Sequence, residues 1–342
     1  MSDNTQKNQQ FETDVTIIGA GPVGLFAIFQ CGMLGLKCHV IDSLAEVGGQ
    51  CSALYPEKPI YDIPALPEVL AGDLIENLEK QAAPFKPCYH LKQQAVSISD
   101  NDAFKIIRTS LGNEIKARAV IIAGGAGSFG PNRPPLDGIE QYENTSVFYM
   151  VRRKEDFRDK NVVIAGGGDS AVDWAITLSD IAKSVSLVHR RDKFRAAPES
   201  VNKLRELQEN EKIDLVVPYQ LKELIGNGAQ LNAVRVSGEG GDKDIEADIL
   251  IPFYGLATDL GPIHDWNLDL EGHTIAVEPS TSETSAKGIY SIGDIVSYKN
   301  KLKLILTGFS EAAMAAHAIY KQINPDQELH FEYSTTKGRP GS

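Results

Sequence analysis

At 342 residues the chain is long enough for two domains with separate cores. Its 42% hydrophobic and 23% charged content is ordinary for a globular protein and excludes a disordered or fibrous one. A net charge of −12 excludes nucleic acid and anionic lipid as general partners, so any anionic ligand must be met by a local basic cluster.

The first twelve residues are polar and read as a loose tail, without the apolar run of a signal peptide. Val15-Thr16-Ile17-Ile18 is apolar and β-branched and predicts a buried strand. It runs into Gly19-Ala20-Gly21-Pro22-Val23-Gly24, and Leu25, Ile28, Phe29 and Met33 follow at helical spacing. Residues 15–36 are apolar enough to weigh as a membrane span. Their glycines fit a phosphate-binding turn instead, and the chain is expected to be soluble and cytoplasmic, with no membrane partner. A second strand over 37–41 ends at Asp42. The four cysteines, Cys31, Cys38, Cys51 and Cys88, form no C-x-x-C pair. His and Cys never cluster at ligand spacing along the chain, so neither a disulfide scaffold nor a metal site is expected.

The same device returns 147 residues later. Val162-Val163-Ile164-Ala165 leads into Gly166-Gly167-Gly168-Asp169-Ser170-Ala171. A helix carrying Val172, Ala175, Ile176 and Leu178 follows, then a strand over 184–188 that ends at His189-Arg190-Arg191. In each copy the first glycine permits a tight turn and the second lets a diphosphate approach the backbone. The third small residue, Gly24 or Ala171, lets helix pack on strand. The helix N-terminus then offers unpaired N–H groups to phosphate. One such turn is weak evidence; two with matched flanks predict two dinucleotide sites.

The ends of the second strands separate the two sites. Asp42 and His189 each lie 23 residues after the first glycine of their loop. A carboxylate there binds a free ribose diol and repels a 2′-phosphate, so the first site takes FAD or NAD(H). The second offers His189, Arg190, Arg191 and Arg195, whose guanidinium forks match phosphate oxygens, hence NADP(H). A solvated basic turn is the plainer alternative.

Near the C-terminus a strand at Ile289-Tyr290-Ser291-Ile292 ends in Gly293-Asp294, and an amphipathic helix is predicted over 308–323. This Gly-Asp pair is similar to the flavoprotein motif whose Asp meets the ribityl or diphosphate edge of FAD. The expected fold is α/β, with two Rossmann-like, three-layer ββα dinucleotide domains. The FAD domain is split over 1–124 and 253–327, the NADPH domain over 125–252 is inserted into it, and 328–342 forms a C-terminal extension. The runs 120–125 and 249–255 would carry a hinge.

Over nearly its whole length the chain resembles the thioredoxin-reductase superfamily, and most closely the bacterial ferredoxin (flavodoxin)–NADP⁺ reductases of thioredoxin-reductase-like type. The segments that carry the resemblance are Gly48-Gly49-Gln50, the run from Ser52 through Tyr55-Pro56-Glu57-Lys58, the second glycine loop, His189-Arg190-Arg191-Asp192 and Tyr333-Ser334-Thr335. It implies that Gln50 contacts the flavin, Tyr55 stacks on one ring face, Val96 lies along the adenine, Phe129 sits near the flavin and Asp294 binds the ribityl side. It also implies a homodimer in which the extension covers the second flavin face. Tyr333 is the stacking candidate ahead of Phe331, with Ser334 or Thr335 beside the reactive nitrogen. Hydride would pass between NADPH and flavin, and single electrons between flavin and ferredoxin or flavodoxin.

The chain departs from thioredoxin reductase where that enzyme carries C-x-x-C. Here the stretch is Phe148-Tyr149-Met150-Val151-Arg152-Arg153-Lys154. Cys51 follows Gly-Gly-Gln but has no thiol partner four or five residues on, and reads as a packing residue. The alternatives are an NADPH oxidase, a thioredoxin-reductase-like enzyme with a separate disulfide partner, and a flavin-bound redox sensor. Lys299, Lys301 and Lys303, or Arg152, Arg153, Lys154 and Arg158, are candidate charges for docking an acidic electron carrier.

Overall fold

The computed structural model describes residues 9–101 and 104–327. They fall into two compact units, one built from the chain up to Phe129 and again from Thr258 on, the other from Gly130–Ala257. The crossings lie five residues beyond the sequence expectation on both passes. The reason is local. After the glycines at 124–127 the outgoing chain forms a strand, Ser128–Pro131, and the returning chain forms Leu256–Asp259; the two pair as a ribbon.

In the first unit Gln10–Ile18, buried mainly over its second half, is a central strand. It pairs in parallel with Cys38–Ile41 on one side and Glu114–Ile122 on the other. Cys88–His90 extends the sheet beyond Cys38–Ile41, and Ile289–Ser291 adds in parallel to the end of Glu114–Ile122. The first half of Glu114–Ile122 pairs antiparallel with Phe104–Thr109, which pairs with Ala95–Asn101. Glu114–Ile122 thus has parallel and antiparallel partners within one seven-stranded sheet. Its alternation serves both faces: Ala119 and Ile121 join the helix-side core, Ile115, Val120 and Ile122 the core beneath the meander. The helices Pro22–Met33, Ala71–Ala82 and Ile305–Ile323 cover the first of these cores.

The second unit repeats the plan. Asp214–Val216, Ser184–Val188, Asn161–Ala165 and Ile249–Pro252 form a four-stranded parallel sheet in that order. The helices Asp169–Leu178 and Pro198–Glu209 pack on one face. A three-stranded antiparallel meander, Tyr219–Asn227, Gln230–Gly238 and Gly241–Glu246, covers the other. Both units are therefore ββα sandwiches of Rossmann type, with a glycine turn at the carboxyl end of the first strand. Among the described residues no helix is long and apolar enough to cross a membrane.

The last helix begins at Ile305, three residues before the expected start. Gly308, the first residue of the expected helix, is a packing residue one turn inside the observed one. A Cβ there would lie 2.4 Å from Val23.

Candidate functional site

The first glycine loop follows directly from its strand. Gly19 has φ +109°, and a Cβ there would sit 2.3 Å from the carbonyl oxygen of Ala123. A Cβ on Gly24 would lie 2.0 Å from the carbonyl oxygen of Gly19, so helix and loop touch backbone to backbone. Gly21, the N-cap residue of Pro22–Met33, faces open space instead, with nothing within 4 Å of its missing Cβ. That contrast is what a diphosphate cradle requires: two glycines for packing and one for ligand approach.

A cleft of ≈1190 Å³ opens from this loop, counting its mouth. Gly19, Gly21, Asp42, Gln50, Tyr55 and Asp294 all line it. Asp42 is buried, and its two oxygens accept the amides of Ala20 at 2.7 Å and Leu44 at 2.8 Å. Burial raises its pKa while these amides oppose the rise, and each oxygen keeps a further lone pair for a ribose hydroxyl. Gln50 starts the short helix Gln50–Leu54, and Tyr55 caps its end. The Tyr55 hydroxyl lies 3.8 Å from the Cys51 thiol. Burial holds Cys51 protonated, its pKa pushed up to about 11. It is a packing residue and not a nucleophile. Asp294 projects into the cleft from the 3₁₀ turn Gly293–Ile295. That turn is anchored from beneath: the Gly293 amide donates to Glu311 at 2.7 Å, and buried Glu311 also accepts from Tyr298 and Lys301. Ile305, at the start of the last helix, reaches the same cleft.

Sequence reasoning missed the apolar wall. Ala95, Leu260, Pro262, Ile263 and Trp266 line the cleft from segments far apart in the chain, and no local motif marks them. Val96 does not line it. Its side chain is 38% exposed, and its carbonyl faces the Trp266 indole N–H at 3.5 Å. The side chain of Phe129 and all of Phe331, Tyr333, Ser334 and Thr335 lie outside the described residues.

In the second unit Gly166 packs against the carbonyl of Phe253, where a Cβ would be 2.7 Å away, and against buried Ala171. Gly168 caps Asp169–Leu178 with open space at its Cβ position. Asp169 and Ser170 are exposed on the first turn, and Asp169 accepts the Ala197 amide at 2.9 Å. The strand end brings His189 over the loop: a Cβ on Gly167 would collide with its ring at 2.3 Å, which explains the middle glycine of the three. His189 also stacks on Phe194, centroids 5.4 Å apart. Burial and the charge of Arg190 lower its pKa, so its ring is neutral at pH 7 and adds no charge to the basic cluster. The Arg195 amide donates to the Gly167 carbonyl at 2.7 Å, tying that residue to the loop. Arg190, Arg191 and Arg195 are exposed and have no carboxylate partner among the described residues. Asp192, the acid nearest in sequence, is taken by Arg205 at 2.8 Å. Three guanidinium groups left unneutralised in a chain of net charge −12 mark an anion site.

One expectation needs correction, and one cluster becomes visible only in the fold. Lys301 is not a surface docking charge: its side chain is 5% exposed and paired with Glu311. His and Cys do cluster at ligand distance, at His39, Cys88 and His90. Sequence spacing conceals this because the residues come from two paired strands.

The model of the family described as pyridine nucleotide-disulphide oxidoreductase matches residues 13–317. A ferredoxin–NADP reductase from Paramagnetospirillum magneticum is 59% identical over 333 residues, 97% of this chain and 99% of that protein. One from Rickettsia massiliae is 58% identical over 328 residues, 96% and 98% of the two chains. Lactococcus lactis thioredoxin reductase superposes with a TM-score of 0.77 at 24% identity, covering 92% of this chain and 99% of its own, a likeness of fold. The chain belongs to the pyridine nucleotide-disulphide oxidoreductase family, in the group formed by these two reductases.

Proposed function

We propose that the chain is a ferredoxin–NADP⁺ reductase, an FAD-dependent oxidoreductase of NADP(H). Bound FAD would supply the chemistry, hydride acceptance from NADPH and single-electron release to a one-electron carrier. The observation that carries this reading is the opposite charge at equivalent places on two like turns: a buried carboxylate at Asp42, unneutralised guanidinium groups at Arg190, Arg191 and Arg195.

The protein's own part is binding and orientation. The Gly19–Gly24 turn receives the FAD diphosphate, Asp42 the adenine-side ribose, Gln50 and Asp294 the flavin side, and Tyr55 a ring face. The Gly166–Ala171 turn receives the NADPH diphosphate, and the arginines hold its 2′-phosphate. No thiol is available for disulfide exchange in the flavin cleft, because Cys51 is buried, protonated and lacks a second thiol. This disfavours a dithiol reductase. Exposed Lys299 and Lys303, or the exposed cluster Arg152, Arg153, Lys154 and Arg158, supply docking charges for an acidic ferredoxin or flavodoxin. The resemblance further supports a cytoplasmic homodimer in which residues 328–342, with Tyr333, Ser334 and Thr335, close the second flavin face.

The test is stopped-flow reduction of the flavin-loaded protein by NADPH, followed by mixing with ferredoxin, thioredoxin or oxygen. Rapid cytochrome c reduction that needs ferredoxin is expected. Fast turnover with thioredoxin or oxygen alone would overturn the assignment, as would a flavin that NADPH does not bleach.

A further inference from the structure

The first unit assembles a donor cluster outside the flavin cleft. Cys38–Ile41 and the edge strand Cys88–His90 pair in parallel, with His39 opposite Cys88. Alternation along a strand puts Cys88 and His90 on one face, and pairing puts His39 on that face too. Cys38 and Val40 point the other way, into the helix-side core. His39 Nδ1 is 2.9 Å from His90 Nε2, and Cys88 Sγ is 3.8 Å from the same nitrogen. One ligating atom from each residue lies within 4.8 Å of the other two. The Phe11 ring packs against both imidazoles, with centroids 5.5 Å and 4.8 Å away.

We propose that His39, Cys88 and His90 form a three-ligand site for a zinc-class divalent ion, with the fourth position left to water. Bonds of about 2.0–2.1 Å to nitrogen and about 2.3 Å to sulfur in a tetrahedron set such donor atoms roughly 3.3–3.6 Å apart. The observed 2.9 Å and 3.8 Å to His90 bracket that spacing and the third pair lies within 4.8 Å, so side-chain shifts of up to roughly an ångström complete the site. Two imidazoles and one thiolate select Zn²⁺ over the oxygen-seeking Mg²⁺ and Ca²⁺. The thiol gives up its proton to solvent when the metal binds. The position has a consequence. The amide of Asp42 donates to the carbonyl of His90 at 3.1 Å, so an ion here clamps the three-residue edge strand beside the carboxylate of the flavin cleft.

The competing account is an imidazole–imidazole hydrogen bond with no metal. The flavin-loaded, full-length protein is stripped with chelator and dialysed against micromolar Zn²⁺, then against Co²⁺. One zinc per chain is expected, together with tetrahedral Co²⁺ bands and a thiolate charge-transfer band. Outer-sphere partners alone are worth about 10–100-fold in metal affinity. Loss of a direct ligand in Cys88→Ser or His39→Gln should therefore weaken zinc at least about 100-fold, with flavin content and NADPH–dye turnover retained. The Co²⁺ spectrum of the unsubstituted protein tests the site even if a variant folds poorly. No retained zinc, octahedral Co²⁺ without thiolate bands, or equal zinc affinity in the substituted proteins would each overturn the assignment.

Discussion

The double substitution Arg190→Ala/Arg191→Ala tests the charge logic most directly. Both side chains are exposed and have no carboxylate partner among the described residues, so their removal strands no buried charge and should leave stability unchanged. Each guanidinium offers charge-assisted hydrogen bonds to a phosphate, worth about 1.5–3 kcal/mol in general. Solvent screening at an exposed site favours the lower end, so the pair is worth about 3 kcal/mol. At about 1.36 kcal/mol per factor of ten, KM for NADPH should rise on the order of 150-fold. NADH has no 2′-phosphate, and its KM should not change. Steady-state ferricyanide reduction with each nucleotide measures both values, and raised salt should shrink the wild-type preference. Equal losses for NADPH and NADH would refute the reasoning, because the arginines would then act on the loop and not on the extra phosphate.

Gly21→Ala should fold with an unchanged Tm yet bind flavin weakly, since its Cβ meets only the ligand's space. Gly24→Ala should lose folded protein as well, because its Cβ meets backbone at 2.0 Å; equal behaviour of the two would count against the cradle. Glu311→Gln leaves Lys301 buried without its counter-charge and should cost about 3–5 kcal/mol in urea unfolding. Lys301→Met/Glu311→Gln should recover much of that, and a single variant as stable as wild type would show the pair to be idle. The pKa values of His39, His90, His189 and His317 are all lowered, chiefly by burial. The unfolded chain therefore binds more protons just below pH 6.5, and stability is lost as pH falls through that value toward the folded-state pKa values. A Tm that stayed flat or rose between pH 7 and pH 5.5 would contradict this.

The cofactor loops were legible because each is written in one continuous stretch: strand, glycines, helix and the residue ending the next strand. Asp42, Arg190 and Arg191 sit where local spacing puts them. What escaped was non-local. Trp266 and Ile263 reach the flavin cleft from a segment more than 130 residues after the first unit's chain leaves it. Gly308 reads as the start of the last helix, and only its contact with Val23 shows why a glycine sits one turn inside it. The lysine run at 299–303 looked uniform in sequence, but Glu311, one helix turn past Gly308, withdraws Lys301 alone into the interior. The zinc-class donors needed the pairing of two strands before they met.

The strand Glu114–Ile122 accepts Ile289–Ser291 as its parallel neighbour, across the entire inserted unit. During synthesis the inserted unit has all its residues once Ala257 has emerged, while the flavin-side sheet still lacks an edge. Because domains fold as units once their chain is available, the order of maturation runs from the inside of the gene outward. Flavin capture is consequently expected to be a late event, and a nascent chain stalled before residue 289 should present a finished nucleotide module beside a sheet that lacks its last strand and the helix Ile305–Ile323, an apolar surface that chaperones would recognise.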